Sequence, residues 1–255
     1  MNDIVIFGKG TCGSATAAIF KDAVEFHDPP KGLNIDDYKN FCYAIITVPT
    51  DEDEKGLNYS VVEDCYEKLF RGGFSGIVLL RSTCDPAFLQ KISEIYEKTV
   101  YWPEFLTEAN AEHDALNPKM IVLGTEDKSL IPWIERLFFD HLHGKGAKWH
   151  ITDISSAGLI KLGINTALAA KITMFNSLHD VCEIFGANWD DVWNGVTSDE
   201  RIGQAHTQVP GPDGTRGFGG KCLPKDSNAL SILAKQNVYL ESIRLYNNKI
   251  RSETN

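Results

Sequence analysis

Cys222 stands in "GFGGKCLPKD", residues 217–226, between a glycine-rich run and the helix-like "SNALSILAK". A thiolate attacks carbonyl carbon and a thiol does not. Helix amides together with Lys161, Lys221 or Lys225 would lower this thiol's pKa from about 8.5 towards neutrality. Asp226, four residues on and one helical turn away, can orient a water or hold a lysine. Gly219 and Gly220 let a backbone close tightly on a ligand. The alternative is a structural cysteine buried under the loop.

A second pair of chemical residues lies in "SSAGLIKLGINTALAAKITMFNSLHDVCEIFG", residues 155–186, which reads as one long helix with serines to cap its start and Gly186 to stop it. Spacings of three and four from Lys161 give Asn165, Leu168, Ile172, Phe175, His179 and Cys182. Most of that stripe is apolar. Lys161 and Asn165 occupy its amino-terminal end, where a buried amine and amide need partners. A lysine snorkelling at the helix edge is the alternative for Lys161. His179 reads as a core or rim histidine, with no metal-type residue spaced to join it, so no metal is expected.

The elements that must position these groups begin with the strand-like "DIVIF", residues 3–7. Gly8, Gly10 and Gly13 follow in "GKGTCG", which also holds Thr11 and Cys12. In a GxGxxG turn the first glycine permits the tight bend, the second admits a pyrophosphate, and the third lets helix and strand pack closely. Free amides at the helix start then face the phosphates. A second strand, "AVEFHD", ends in Asp28, whose carboxylate can bond an adenosine ribose and repel a 2'-phosphate, which favours NAD over NADP. Asp28 also fits a plain strand-end turn before Pro29.

Apolar runs at "YAIITVP", "GIVLLRS", "TVYW" and "MIVLG" alternate with helix-like stretches such as "YSVVEDCYEKLF" and "PWIERLFFDHL". That alternation predicts an α/β class: a doubly wound Rossmann-type domain over residues 1–151, then a mainly helical domain over 152–255. Ligands in such sheets sit beyond the carboxyl ends of the strands, so residues 48–50, 81–84 and 103–105 are candidate lining segments.

A formal charge of -10 argues against non-specific nucleic-acid binding, which depends on phosphate neutralisation by lysine and arginine. The six cysteines form no CxxC pair, so neither a zinc site nor a secreted disulfide framework is indicated. No apolar stretch reaches the about 18 residues of a membrane span. The start lacks the features of a signal peptide, and a cytoplasmic location is expected.

Taken in order, "GKGTCG", "VPT", "STC", "PEFLTEANAEHDALNPKMIVLG", "KLGINTALAAKITMFNSLHDVCEIFG", "DERIG" and "GFGGKCLPKD" resemble the nucleotide-sugar 6-dehydrogenase family over most of the chain. The resemblance implies oxidation of a sugar C6 hydroxyl, first of UDP-glucose, with two NAD, through a thiohemiacetal and a thioester to a carboxylate. Cys222 would be the nucleophile. Lys161 and Asn165 would hold the C6 oxygen, and Asp226, Glu104 and Thr83 would position water and handle protons. Gly8, Gly10, Thr11, Cys12, Gly13, Asp28, Val48, Pro49, Thr83, Glu108 and Lys225 would meet the NAD. Phe105, Leu106, Phe218 and Gly219 would join Lys161 and Asn165 around the substrate. Arg201 would reach it from a neighbouring subunit, which implies a homodimer. The resemblance further implies a shortened segment after Asp28 and a short form that lacks the family's carboxyl-terminal nucleotide-binding domain.

Two other readings compete. Gly158, Lys161 and Asn165 also resemble the GxxxKxxxN helix of the 3-hydroxyacid dehydrogenases, which transfer one hydride and need no cysteine. Alternatively the chain is an NAD-binding subunit that depends on a partner chain for its nucleotide contacts.

Overall fold

Apolar runs in the first half form the strands β1 (Ile4–Phe7), β2 (Val24–His27) and β3 (Tyr43–Ile46), a short hairpin of β4 (Glu52–Asp53) and β5 (Gly56–Leu57), then β6 (Ile77–Leu80), β7 (Thr99–Tyr101), β8 (Met120–Gly124) and β9 (Lys148–Thr152). These assignments come from a computed structural model that describes residues 3–53, 56–142, 146–235 and 237–254. The chain divides into two compact units, Met1–Lys161 and Leu162–Asn255.

In the first unit seven strands pair in the order β2-β1-β3-β6-β7-β8-β9. All pairs are parallel except β7 with β8, which meet antiparallel at Tyr101 and Gly124. Helices α1 (Thr11–Phe20), α2 (Ser60–Arg71), α3 (Pro86–Ile95), α4 (Ala111–Leu116) and α5 (Ile131–Leu142) cover both faces. Val5, Phe7, Ala44, Ile46, Val78 and Leu80 face α2 and α3, while Ile4, Ile6, Ile45, Ile77 and Leu79 face α1, α4 and α5. Successive strand residues point to opposite faces, so a strand covered on both sides reads as an unbroken apolar run. Fully burying one such isoleucine or leucine is worth about 1.5–3 kcal/mol. The α/β, doubly wound class expected from the alternation is the one observed.

Residues 28–42, between β2 and β3, hold one short 3-10 turn (Pro29–Lys31) and no further strand of the main sheet, in line with the shortened segment implied after Asp28, so β2 forms the sheet's edge. Two features depart from the reading of the sequence. The edge strand β9 has a mostly exposed KWHIT pattern and so carried no apolar run. The long helix α6 (Ile154–Phe185) is capped by Asp153, whose Oδ1 accepts the Ser156 N–H at 2.8 Å, and not by a serine. Its end is as expected: Gly186 has φ +64°, and the Ala187 and Gly186 amides return to Cys182 and Glu183 at 2.9 and 3.3 Å, a Schellman stop.

The second unit holds most of α6, then α7 (Trp189–Thr197), α8 (Leu223–Leu233) and α9 (Val238–Thr254). Ala169, Phe218 and Ile243 form a small buried cluster with Ile172, Leu223 and Leu240 packed against it. Among the described residues no helix is long and apolar enough to cross a membrane.

Candidate functional site

In the first unit the strand order reverses at β1, whose neighbours are β2 and β3. Such switch points place a crevice outside the carboxyl ends of the strands. The glycine turn fills that position. Gly8 has φ +90°, in the left-handed region. A Cβ at Gly13 would lie 1.9 Å from the Gly8 carbonyl oxygen, so helix and turn touch as closely as the third glycine allows, whereas a Cβ at Gly10 would meet nothing within 4 Å. No side chain caps α1 at Gly10. The Asp28 carboxylate at the end of β2 accepts the Lys9 N–H at 2.7 Å, which fastens it to the same turn. Open amides, an open second glycine and an acidic strand end together fit a dinucleotide.

Two threonines brace this region: Thr47, which the sequence reading did not single out, and Thr50, the last residue of the candidate lining segment 48–50. Thr47 Oγ1 donates to the carbonyl of Phe7 or Gly8, at 2.8 and 3.0 Å. Thr50 Oγ1 donates to the Thr83 carbonyl at 2.9 Å and ties the two lining loops together. Val48 receives the Ser82 hydroxyl at its carbonyl, and Pro49 and Glu108 are exposed. Phe105 and Leu106 pack against opposite cores of this unit.

Lys161 is buried, its side chain 3% exposed, so it does not snorkel. Its Nζ donates to Glu104 Oε1 and to the Glu104 carbonyl, both at 2.8 Å, and lies 5.5 Å from the Phe105 ring centre. Glu104 Oε2 is buried and has no hydrogen-bond partner among the described residues. Buried polar atoms are nearly always bonded, and exceptions mark strain or function. This carboxylate oxygen is an acceptor held open beside an ammonium.

In the second unit Cys222 is exposed and occupies the N-cap of α8, with Pro224 in the first turn as expected. The exposure overturns the alternative of a cysteine buried under the loop. One turn later Asp226 is completely buried; its Oδ2 accepts the Asn165 amide at 2.5 Å and its Oδ1 accepts Lys225 Nζ at 2.8 Å. Asp226 thus holds Lys225, while Lys161 is held by Glu104. Asn165 follows Lys161 by four residues in the uninterrupted α6.

The loop before Cys222 is fastened from both sides. Asn176 Oδ1 accepts the Gly217 N–H at 3.1 Å; Asn247 accepts the Phe218 N–H at 2.7 Å and donates to its carbonyl at 3.0 Å. Arg216 bonds Asp180, which also receives the Tyr246 hydroxyl. Burial pushes the Asp180 carboxyl up, but these two donors outweigh it and hold it below the usual carboxylate range. The close approach at Gly219 is to protein: a Cβ there would lie 2.9 Å from the Arg251 guanidinium. Phe218 is a core residue of this unit, and Arg201 is exposed and held by Asp199. Asp180 and Glu183 do lie near His179, contrary to the expectation that nothing joins it, but Asp180 is already occupied by Arg216 and Tyr246. Asn176 and Asn247 escaped the sequence reading; the available signal was an amide inside an otherwise helical pattern, where it is unfavourable without a partner. Asn247→Leu is expected to cost about 2–6 kcal/mol, because it leaves two buried backbone groups unpaired at about 1–3 kcal/mol each. Urea unfolding measures this.

Residues 155–249 match the central domain of the UDP-glucose/GDP-mannose dehydrogenase family. A UDP-glucose 6-dehydrogenase of Rickettsia bellii is 34% identical over 215 residues, 81% of this chain and 48% of that protein. The chain spans about half the length of the curated relatives it matches. Among solved structures, a UDP-glucose dehydrogenase of Pyrobaculum islandicum matches with a TM-score of 0.80 and 19% identity, over 99% of this chain and 68% of that one. A Mycobacterium tuberculosis 3-hydroxyisobutyrate dehydrogenase matches with a TM-score of 0.74 and 16% identity, over 100% of this chain and 95% of that one. At these identities the two structures bear on the fold alone, while the family match spans the segment that holds Lys161, Asn165 and Cys222. By that central domain and those relatives, the chain belongs to the UDP-glucose/GDP-mannose dehydrogenase family.

Proposed function

We propose that this chain oxidises the C6 hydroxyl of a nucleotide sugar, UDP-glucose first, to a carboxylate in two NAD-dependent steps. The observation that carries the reading is the buried Lys161–Glu104 pair with its open Glu104 Oε2, an arrangement a purely structural helix would fill with apolar side chains. When bound, NAD supplies the acceptor for each hydride.

The chain's own groups divide the remaining work. As C6 is oxidised to an aldehyde, the ammonium of Lys161 and the amide of Asn165 stabilise charge on the C6 oxygen. Glu104 Oε2 takes the hydroxyl proton, directly or through a water. The Cys222 thiolate then attacks C6; a sulfur–carbon bond forms, the oxygen takes a proton, and the thiohemiacetal can lose a second hydride and its hydroxyl proton. The resulting thioester is cleaved by water, oriented by Asp226 or Glu104, which breaks the sulfur–carbon bond and returns the thiolate with a carboxylate product. Thr83 is proposed to help position the water and pass its protons. Arg201, exposed and pre-oriented by Asp199, is proposed to meet the substrate of a second copy in a homodimer.

The test is the number of NADH formed per UDP-glucose consumed by the purified chain. Two per sugar is expected. One per sugar, with an aldehyde or ketone as product, supports instead the single-hydride reading, which the coverage of a 3-hydroxyisobutyrate dehydrogenase fold along 95% of its length keeps in view. Turnover only after addition of another chain would point to a dependent subunit.

A further inference from the structure

Arg81 directly follows β6 and is 3% exposed, yet it forms no ion pair among the described residues. Its guanidinium stacks 3.6 Å over the Trp102 ring, and its Nε is buried with no hydrogen-bond partner among those residues. The polar group beside it is the thiol of Cys12, in the first turn of α1. Burial outweighs the guanidinium and raises that thiol above its usual range, so Cys12 stays neutral and brings no countercharge. Glu104, the carboxylate also felt by Cys12, is already paired with Lys161 at 2.8 Å.

A buried cation without an anion is destabilising by several kcal/mol. Burying it beside the uncapped start of a ten-residue helix compounds the unmet demand, because both the guanidinium and the first-turn amides favour negative charge. The open space at Gly10 lies in the same turn. We propose that Arg81 is the counter-ion of a diphosphate bound at the start of α1, and that the unliganded chain is less stable for keeping it. This inference rests on the dinucleotide reading of the glycine turn and adds to it a charged residue from β6.

The experiment is calorimetric titration of the full chain with NAD, ADP-ribose, inorganic pyrophosphate and adenosine, beside Arg81→Met and Arg81→Lys, with the melting temperature of each chain measured without ligand. Arg81→Met should weaken ADP-ribose binding about tenfold or more, the range of one charge-assisted bond, and leave adenosine binding unchanged. Arg81→Lys should fall between. Without ligand, Arg81→Met should melt at or above the parent temperature. A variant that binds ADP-ribose as the parent does, or that melts lower without ligand, would show a structural strut and overturn the proposal. Pyrophosphate bound as tightly as ADP-ribose would identify a free-anion site and sink the dinucleotide assignment. If the parent chain binds neither NAD nor ADP-ribose, the cofactor reading itself fails, and that outcome is visible before any variant is compared.

Discussion

Cys222→Ser is expected to abolish the second oxidation and leave the protein at least as stable as before. The two halves of that expectation have separate causes. Oxygen is a poorer nucleophile than a thiolate at neutral pH, so turnover to the carboxylate should fall on the order of 10³-fold or more, as when other enzymes lose their nucleophile. NADH per sugar should drop from two to at most one. Stability responds differently because Cys222 is exposed at the N-cap of α8 and makes no capping bond there. Serine is among the favoured N-cap residues and cysteine is not, so the change should fall within about 0.5 kcal/mol of zero or stabilise the helix. Steady-state turnover and urea unfolding of the same preparation check both halves. A serine variant that still yields two NADH per sugar removes the thioester from the mechanism.

Lys161→Met should be strongly destabilising. It strands a carboxylate that is nearly buried, and breaking one side of a buried pair costs about 3–5 kcal/mol. Glu104→Leu should cost as much by stranding the ammonium. The double variant Lys161→Met/Glu104→Leu separates structure from chemistry. With both charges gone the desolvation penalty disappears too, and stability should return to within about 1–3 kcal/mol of the parent, the remainder being the Glu104 carbonyl that has lost its donor. Turnover should not return. Chemical denaturation and NADH production on all three variants check this. Recovery of activity in the double variant would mean that the pair serves only the fold.

The legibility of this protein follows from which interactions are local. The glycine turn, the strands buried on both faces and the long α6 announce themselves through spacing within one element. Pro224 and Gly186 mark their helix ends for the same reason. What could not be read is non-local. The clamps on the Cys222 loop come from Asn176 and Asn247, 41 and 29 residues from the backbone groups they hold. Arg81 looks like an ordinary charged residue closing an apolar run, and it takes its burial and the stacking of Trp102, just past β7, to show that it is inside. Strand β9 was missed because an edge strand of mostly exposed residues lacks the apolar signature by which its neighbours were recognised. Gly219 was read as room for a ligand, and that room is taken by Arg251.

Helix α6 carries the line that divides the two units, with Lys161 the last residue on one side and Leu162 the first on the other. A helix terminus leaves its final carbonyls without partners and frays. A gene cut at that line would therefore release a first unit ending in an eight-residue stub, with the lysine in its loosest turn. The stretch around Asn165, coded downstream, is what closes the backbone around Lys161. A cut at that line would therefore cost Lys161 its place in mid-helix.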